Sequence, residues 1–236
     1  MEQEPHQEKQ HDSAVVLGFG QEVSLQNTEF PNLEELGIKE IDIHPANYIL
    51  TFVAWKICQE QQRQGVDAYL ITLGGIAEPN AEFANKLNLY FEENIEIRSD
   101  PTSFSITTNL ESLEQMFDDP QIPISFPVII CQGFAENRVS ALSKKILSEG
   151  QRDFEILSYE EYFNDLGPLE ERFTQSELAI LAELYDLLEE IPVDEWIIRR
   201  EGILQFFDEN FPGLIKFLAK IRRWKSGIPF KGDLEI

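Results

Sequence analysis

Apolar residues along this chain fall into two alternating patterns: short continuous runs, and longer stretches in which they recur at three- and four-residue intervals. The clearest alternation spans Phe126 to Leu157. Val128-Ile129-Ile130 reads as a strand ending at Cys131-Gln132-Gly133, and Val139, Leu142 and Ile146 mark one face of a following helix. The apolar run at 154–163 supplies the next strand, which completes a β-α-β unit. The same signature recurs upstream. Residues 14–20 read as a first strand, Ile38, Ile41 and Ile43 as a short second one, and Pro45 opens a core helix that stops at Gly65. Val66 to Leu73 is a buried strand broken by Gly74-Gly75, before a helix from Asn80 that carries Phe83, Leu87, Tyr90 and Phe91 inward.

Residues 95–98 and 103–108 both alternate as strands do, and Asp100-Pro101 between them predicts a hairpin. Thr108 and Glu111 have capping-box spacing and open a short helix with Leu110, Leu113 and Phe117 inward. Strands alternating with helices of this length predict an α/β domain over residues 14–165. Its expected form is a Rossmann-like three-layer arrangement, with a mostly parallel sheet covered on both faces. From Gly167 the strand signal stops. Thr174 and Glu177 form a second capping box at the head of an acidic amphipathic helix that ends near Pro192. Helices over about 194–210 and 213–225, separated by Pro212-Gly213, complete a C-terminal all-helical extension over 166–226. Residues 227–236 read as a tail, and residues 1–13, poor in apolar side chains, as a disordered acidic tail.

Charge changes the picture more than composition does. The formal net charge of -24 opposes nucleic-acid phosphates and anionic lipid heads, and favours basic protein partners. The charge is uneven: residues 196–236 hold eight Lys/Arg against five Asp/Glu, so the negative charge belongs to the rest of the chain. No apolar run reaches the length of a membrane span, and the polar start lacks the pattern of a secretory signal. With two cysteines, Cys58 and Cys131, expected to be reduced, the reading is cytoplasmic, with no membrane partner and homo-oligomerisation left open.

Candidate chemistry sits where strands end. In open α/β sheets ligands bind outside the carboxyl ends of the strands, so Gly74, Gly75, Cys131 and Gly133, each beside a helix start, are the candidate ligand-binding residues, with Arg138. Neither turn carries the phosphate-loop pattern, and Glu78 and Glu136 place carboxylates at the same helix starts. Cys131 and Arg138 invite comparison with cysteine phosphatases, but the spacing is one residue too long and no His precedes the Cys. Gly18 and Gly20 form a lone GxG that reads as a turn. Asp100, Asp118 and Asp119 read as turn carboxylates, His44 as a capping or packing group, and Trp55 and Cys58 as core; no catalytic residue, metal site or cofactor is assigned.

On the last helix Lys216, Lys220 and Arg223 form a basic stripe opposite Leu214, Leu218 and Ile221. With Trp224, that stripe is a candidate interaction surface, expected to dock against the acidic body. Together these features predict a non-catalytic, cytosolic regulatory or protein-interaction module with an acidic surface. The alternatives are a small-anion sensor or enzyme at the strand-end turns, and a nucleic-acid-associated factor using the basic last helix.

Overall fold

The computed structural model describes residues 11–199 except 21, 28, 104, 122, 123, 148, 149, 166 and 167, together with residue 203. Residues 1–10 and most of the expected helices over 194–210 and 213–225 lie outside the described residues, as does the tail over 227–236. In chain order the first half contains β1 (Ser13–Leu17), β2 (Glu22–Gln26), α1 (Pro31–Glu35), β3 (Glu40–Ile43), α2 (Pro45–Arg63), β4 (Tyr69–Leu73) and α3 (Ala77–Tyr90). The second half contains β5 (Glu96–Asp100), α4 (Ile106–Phe117), β6 (Pro127–Cys131), α5 (Gly133–Ile146), β7 (Glu155–Ser158), α6 (Tyr159–Asp165) and α7 (Gln175–Glu190). A 3-10 turn at Leu169–Glu171 precedes α7.

Five strands pair in parallel in the order β5-β4-β1-β6-β7, the α/β, Rossmann-like layout. Successive strand residues point to opposite faces, so each inner strand must satisfy two cores. Ala14, Val16, Leu70, Val128 and Ile130 belong to the core beneath α2 and α3, whereas Val15, Leu17, Ile71, Leu73, Ile129 and Cys131 belong to the core beneath α4 and α5. This two-sided burial explains why β1, β4 and β6 read as continuous apolar runs. No helix among the described residues is long and apolar enough to cross a membrane.

The central helix α2 is buried from Pro45 to Gln59, because it is covered by the sheet, α3 and α7. Its polar residues are consequently partnered. Thr51 donates to the Asn47 carbonyl at 2.9 Å, and Gln59 donates to Glu93 at 2.8 Å. Lys56 meets Glu177 of α7 at 2.8 Å, with both side chains buried. Glu183 of α7 accepts from the backbone N–H groups of Asn32 and Leu33 in α1 at 3.0 and 2.9 Å, so it neutralises that helix start. Ile180, Leu181, Leu184 and Leu187 lie in the same core as α2. Two buried carboxylates and an apolar face therefore join α7 to the α/β body.

Several local expectations change. Residues 103–108 do not form a hairpin with 95–98: β5 pairs in parallel with β4, and α4 begins at Ile106. The Ser105 hydroxyl accepts from the Thr108 N–H while the Thr108 hydroxyl accepts from the Ser105 N–H, a capping box three residues earlier than the Thr108–Glu111 spacing suggested. The apolar run at 154–163 divides at Ser158 into β7 and α6. β3 pairs antiparallel with β2 in a separate two-stranded sheet; β2, in which Val23 and Leu25 alternate with polar residues, was not among the expected strands. Residues 11–13 are ordered: His11 stacks on Phe126 and lies 3.0 Å from Glu155, and Ser13 opens β1.

Candidate functional site

The strand order places a topological switch point between β1 and β6, because the chain leaves β1 toward β4 on one side and meets β6 on the other. The turn after β1 forms one wall of this crevice. A Cβ on Gly18 would meet Ile76 Cδ1 and come within 2.6 Å of Asn47 Oδ1, so only glycine fits. Asn47 holds the next residue from both sides, accepting from the Phe19 N–H at 3.1 Å and donating to its carbonyl at 2.9 Å. Clamped in this way, the Phe19 ring packs against His44, with centroids 5.0 Å apart, and against Phe134 at 5.7 Å. His44 caps α2, its Nδ1 accepting from the Ala46 N–H at 3.2 Å. Burial lowers the imidazole pKa, an effect that backbone groups of Pro192 and Ile191 oppose.

The other wall is the start of α5, a helix N-terminus at the switch point whose free N–H groups could hold an anion. That position is filled from within. The Gly133 N–H donates to Glu160 Oε2 at 3.0 Å, and a Cβ on Gly133 would sit 3.4 Å from the Glu160 carboxyl carbon. Glu160 arrives from the first turn of α6, directly after β7, so the division of residues 154–163 into strand and helix delivers it there. Burial raises its pKa, opposed by hydrogen bonds that include the one from Gly133; Glu136 adds to the rise. Burial also pushes Tyr185 up to about 12, with Glu160 contributing. Cys131 is pushed up by burial and then by the carboxylates of Glu136, Glu160 and Glu161. The field at the end of β6 is thus negative: it repels a phosphate and attracts a cation.

The residues singled out from the sequence do not converge on one place. Because β1 lies between β4 and β6, the Gly74-Gly75 turn and the Cys131–Gly133 turn stand about 10 Å apart across the sheet. Gly74 has φ +99°, and the Asn109 amide lies 3.2 Å from where its Cβ would be. Cys131 lies in the core beneath α4 and α5 as a buried thiol. Arg138 is only 3% exposed. Lys216, Lys220, Arg223 and Trp224 lie outside the described residues.

Sequence patterning assigns Gly18 to a turn, which the structure shows, but does not single out Phe19, Asn47 or Glu160. The GxG after the first strand was the available signal for Phe19; nothing local marks Glu160, whose role depends on the β6–β7 pairing. Among the described residues no group of three or more His, Cys, Asp or Glu side chains is arranged to hold a metal ion. Comparison of the chain with protein-family models, curated proteins and solved structures finds no match.

Proposed function

We propose that this chain is a non-catalytic, cytosolic interaction module that binds a basic protein partner, with the carboxylate-bearing end of β6 as part of the contact. The observation that carries this reading is the Gly133 N–H bonded to the Glu160 carboxylate at 3.0 Å: a helix start that could hold an anion at the switch point is taken by the protein's own negative charge. Glu136 and Glu161 reinforce that sign, and the net charge of -24 extends it over the molecule. Both cysteines are buried thiols, with Cys58 pushed up to about 12 by burial, which disfavours nucleophilic roles.

The test pairs two measurements on the full chain. An arginine-rich peptide is titrated at low and high ionic strength, and ATP, NAD and inorganic phosphate are screened by thermal shift. The reading expects salt-sensitive peptide binding that weakens in a Glu136→Gln/Glu160→Gln/Glu161→Gln variant, and no stabilisation by the nucleotides. A nucleotide-induced rise in Tm, or peptide affinity indifferent to both salt and the substitutions, refutes it.

One observation favours the small-ligand alternative, and it lies at the other turn. Asn80, wholly buried in the second turn of α3, has hydrogen-bond partners on neither amide atom, and the Ile76 cap offers no side-chain bond to the helix start. A small molecule that raises the Tm of the wild-type chain but not of Asn80→Ala would support that alternative.

A further inference from the structure

Two buried carboxamides flank the turn that follows β4. Asn80, on the inward face of α3 among Ala77, Ala81 and Ala84, is wholly buried, and neither its Oδ1 nor its Nδ2 has a hydrogen-bond partner. Asn109, on the inward face of α4 with Leu110 and Leu113, is 4% exposed, and its Oδ1 has no partner either. The Asn109 Nδ2 and Oδ1 lie 3.2 and 3.4 Å from where a Cβ on Gly74 would be, so this side chain is aimed at the turn. Helix side chains lean toward the N-terminus of their own helix, which carries Asn80 over the first turn of α3, directly after Ile76. We propose that the turn over Gly74, Gly75 and Ile76 binds a small uncharged ligand through the carboxamides of Asn80 and Asn109. The ligand presents a donor and an acceptor side by side, as the edge of a nucleobase or of a primary amide does.

The frame around these side chains is already bonded. The Gly74 N–H donates to the Asp100 carbonyl at 3.0 Å and the Gly74 carbonyl accepts from the Ala77 N–H at 2.9 Å, while the Asn80 N–H donates to the Ile76 carbonyl at 3.1 Å. Asp100, at the end of β5, accepts from the Thr102 N–H at 2.9 Å and from the Ser112 hydroxyl of α4, which ties that helix to the same end of the sheet. The turn is thus held in place while both carboxamides keep bonding capacity, which is costly in a buried position unless something else uses it. Inward helix positions are ordinarily apolar. Asn80, Asn109 and Thr107, whose buried hydroxyl is also unpartnered, break that rule together at the carboxyl end of the sheet, where open α/β sheets bind ligands. Chemistry narrows the class. A carboxamide sets a donor beside an acceptor, the complement of a nucleobase or amide edge. None of the three side chains carries charge, so an ionic ligand would lose its water without a counter-ion, and the net charge of -24 opposes an anion further. The inference rests on the small-ligand alternative above and is independent of the basic-partner reading, whose Glu160 serves the other turn.

The experiment titrates the full chain with adenine and nicotinamide as uncharged probes, alongside ATP and NAD, and reads thermal shift on wild type, Asn80→Leu and Asn109→Leu. The expected result is a concentration-dependent rise in wild-type Tm with at least one uncharged probe, lost in both variants. A response to adenine alone assigns the site to a nucleobase, and a response to nicotinamide alone assigns it to an amide. No rise with either probe leaves ordered water only as the partner of the two carboxamides and overturns the proposal; so does a rise that persists in both variants, since the probe then binds elsewhere. ATP or NAD acting through Asn80, with no response to either uncharged probe, overturns this inference while leaving the small-ligand alternative standing. Hydrogen exchange on the unmodified chain is the second measurement. Probe-induced protection is expected over residues 74–80 and 105–110, and protection confined to other segments overturns the proposal even if the leucine variants fail to fold.

Discussion

Replacing Lys56 with Met tests how firmly α7 belongs to the α/β body. Lys56 is 1% exposed; its ammonium meets Glu177 at 2.8 Å, donates to Gln59 at 2.8 Å and lies 5.1 Å from the Phe173 ring centroid. Glu177 is wholly buried and cannot regain water when the ammonium is removed. Breaking a buried pair from one side costs about 3–5 kcal/mol, because the remaining charge is left uncompensated. For a chain of this size each kcal/mol moves the midpoint by about 2–4 °C, so the expected fall in Tm is about 6–20 °C. The double variant Lys56→Met/Glu177→Gln removes both charges and keeps an acceptor for the Thr174 N–H in the capping box, so it should return to within about 1–2 kcal/mol of wild type. Urea unfolding of the three proteins, followed by fluorescence and circular dichroism together, supplies the comparison. A single substitution that costs less than about 1 kcal/mol, or a double variant less stable than the single, refutes the reasoning.

Three further outcomes follow from the site. Glu160 has a folded pKa raised above its unfolded value, so the unfolded chain ionises first as pH rises. Wild-type stability should therefore fall, relative to Glu160→Gln, as pH climbs from the ordinary carboxylate value through the raised one, and level off above it; denaturant midpoints of both proteins from acid to neutral pH measure this. Gly18→Ala forces a methyl toward Asn47 Oδ1 and Ile76, and should cost about 1–3 kcal/mol by disturbing the Phe19 clamp, read from the urea midpoint; an unchanged midpoint shows that the turn gives way freely. Cys58 and Cys131 should resist a thiol-specific chromogenic reagent in the native protein and react with full stoichiometry only in denaturant, since burial pushes both thiols up; prompt native labelling of either would contradict its placement.

Local patterning by itself determined the α/β class, the β6–α5–β7 unit, the extent of α2 and the start of α7. In each of these the apolar period, a Pro at the helix start or a reciprocal cap is written into neighbouring residues. It also determined that Cys131 and Arg138 have the wrong spacing for phosphate chemistry. What it left undecided are relations between distant segments. Residues 103–108 alternate like a strand, yet the reciprocal Ser105–Thr108 cap makes 106–108 the start of a helix, because capping satisfies backbone groups that an unpaired edge would leave open. The strand order had no local signature. Only pairing through β1 separates the Gly74 turn from the Cys131 turn and makes Gly18 and Phe19 the wall of the switch point. Glu160 looked like one acid among 43; parallel pairing of β7 with β6 is what carries it to the Gly133 N–H, where its carboxylate occupies the start of α5.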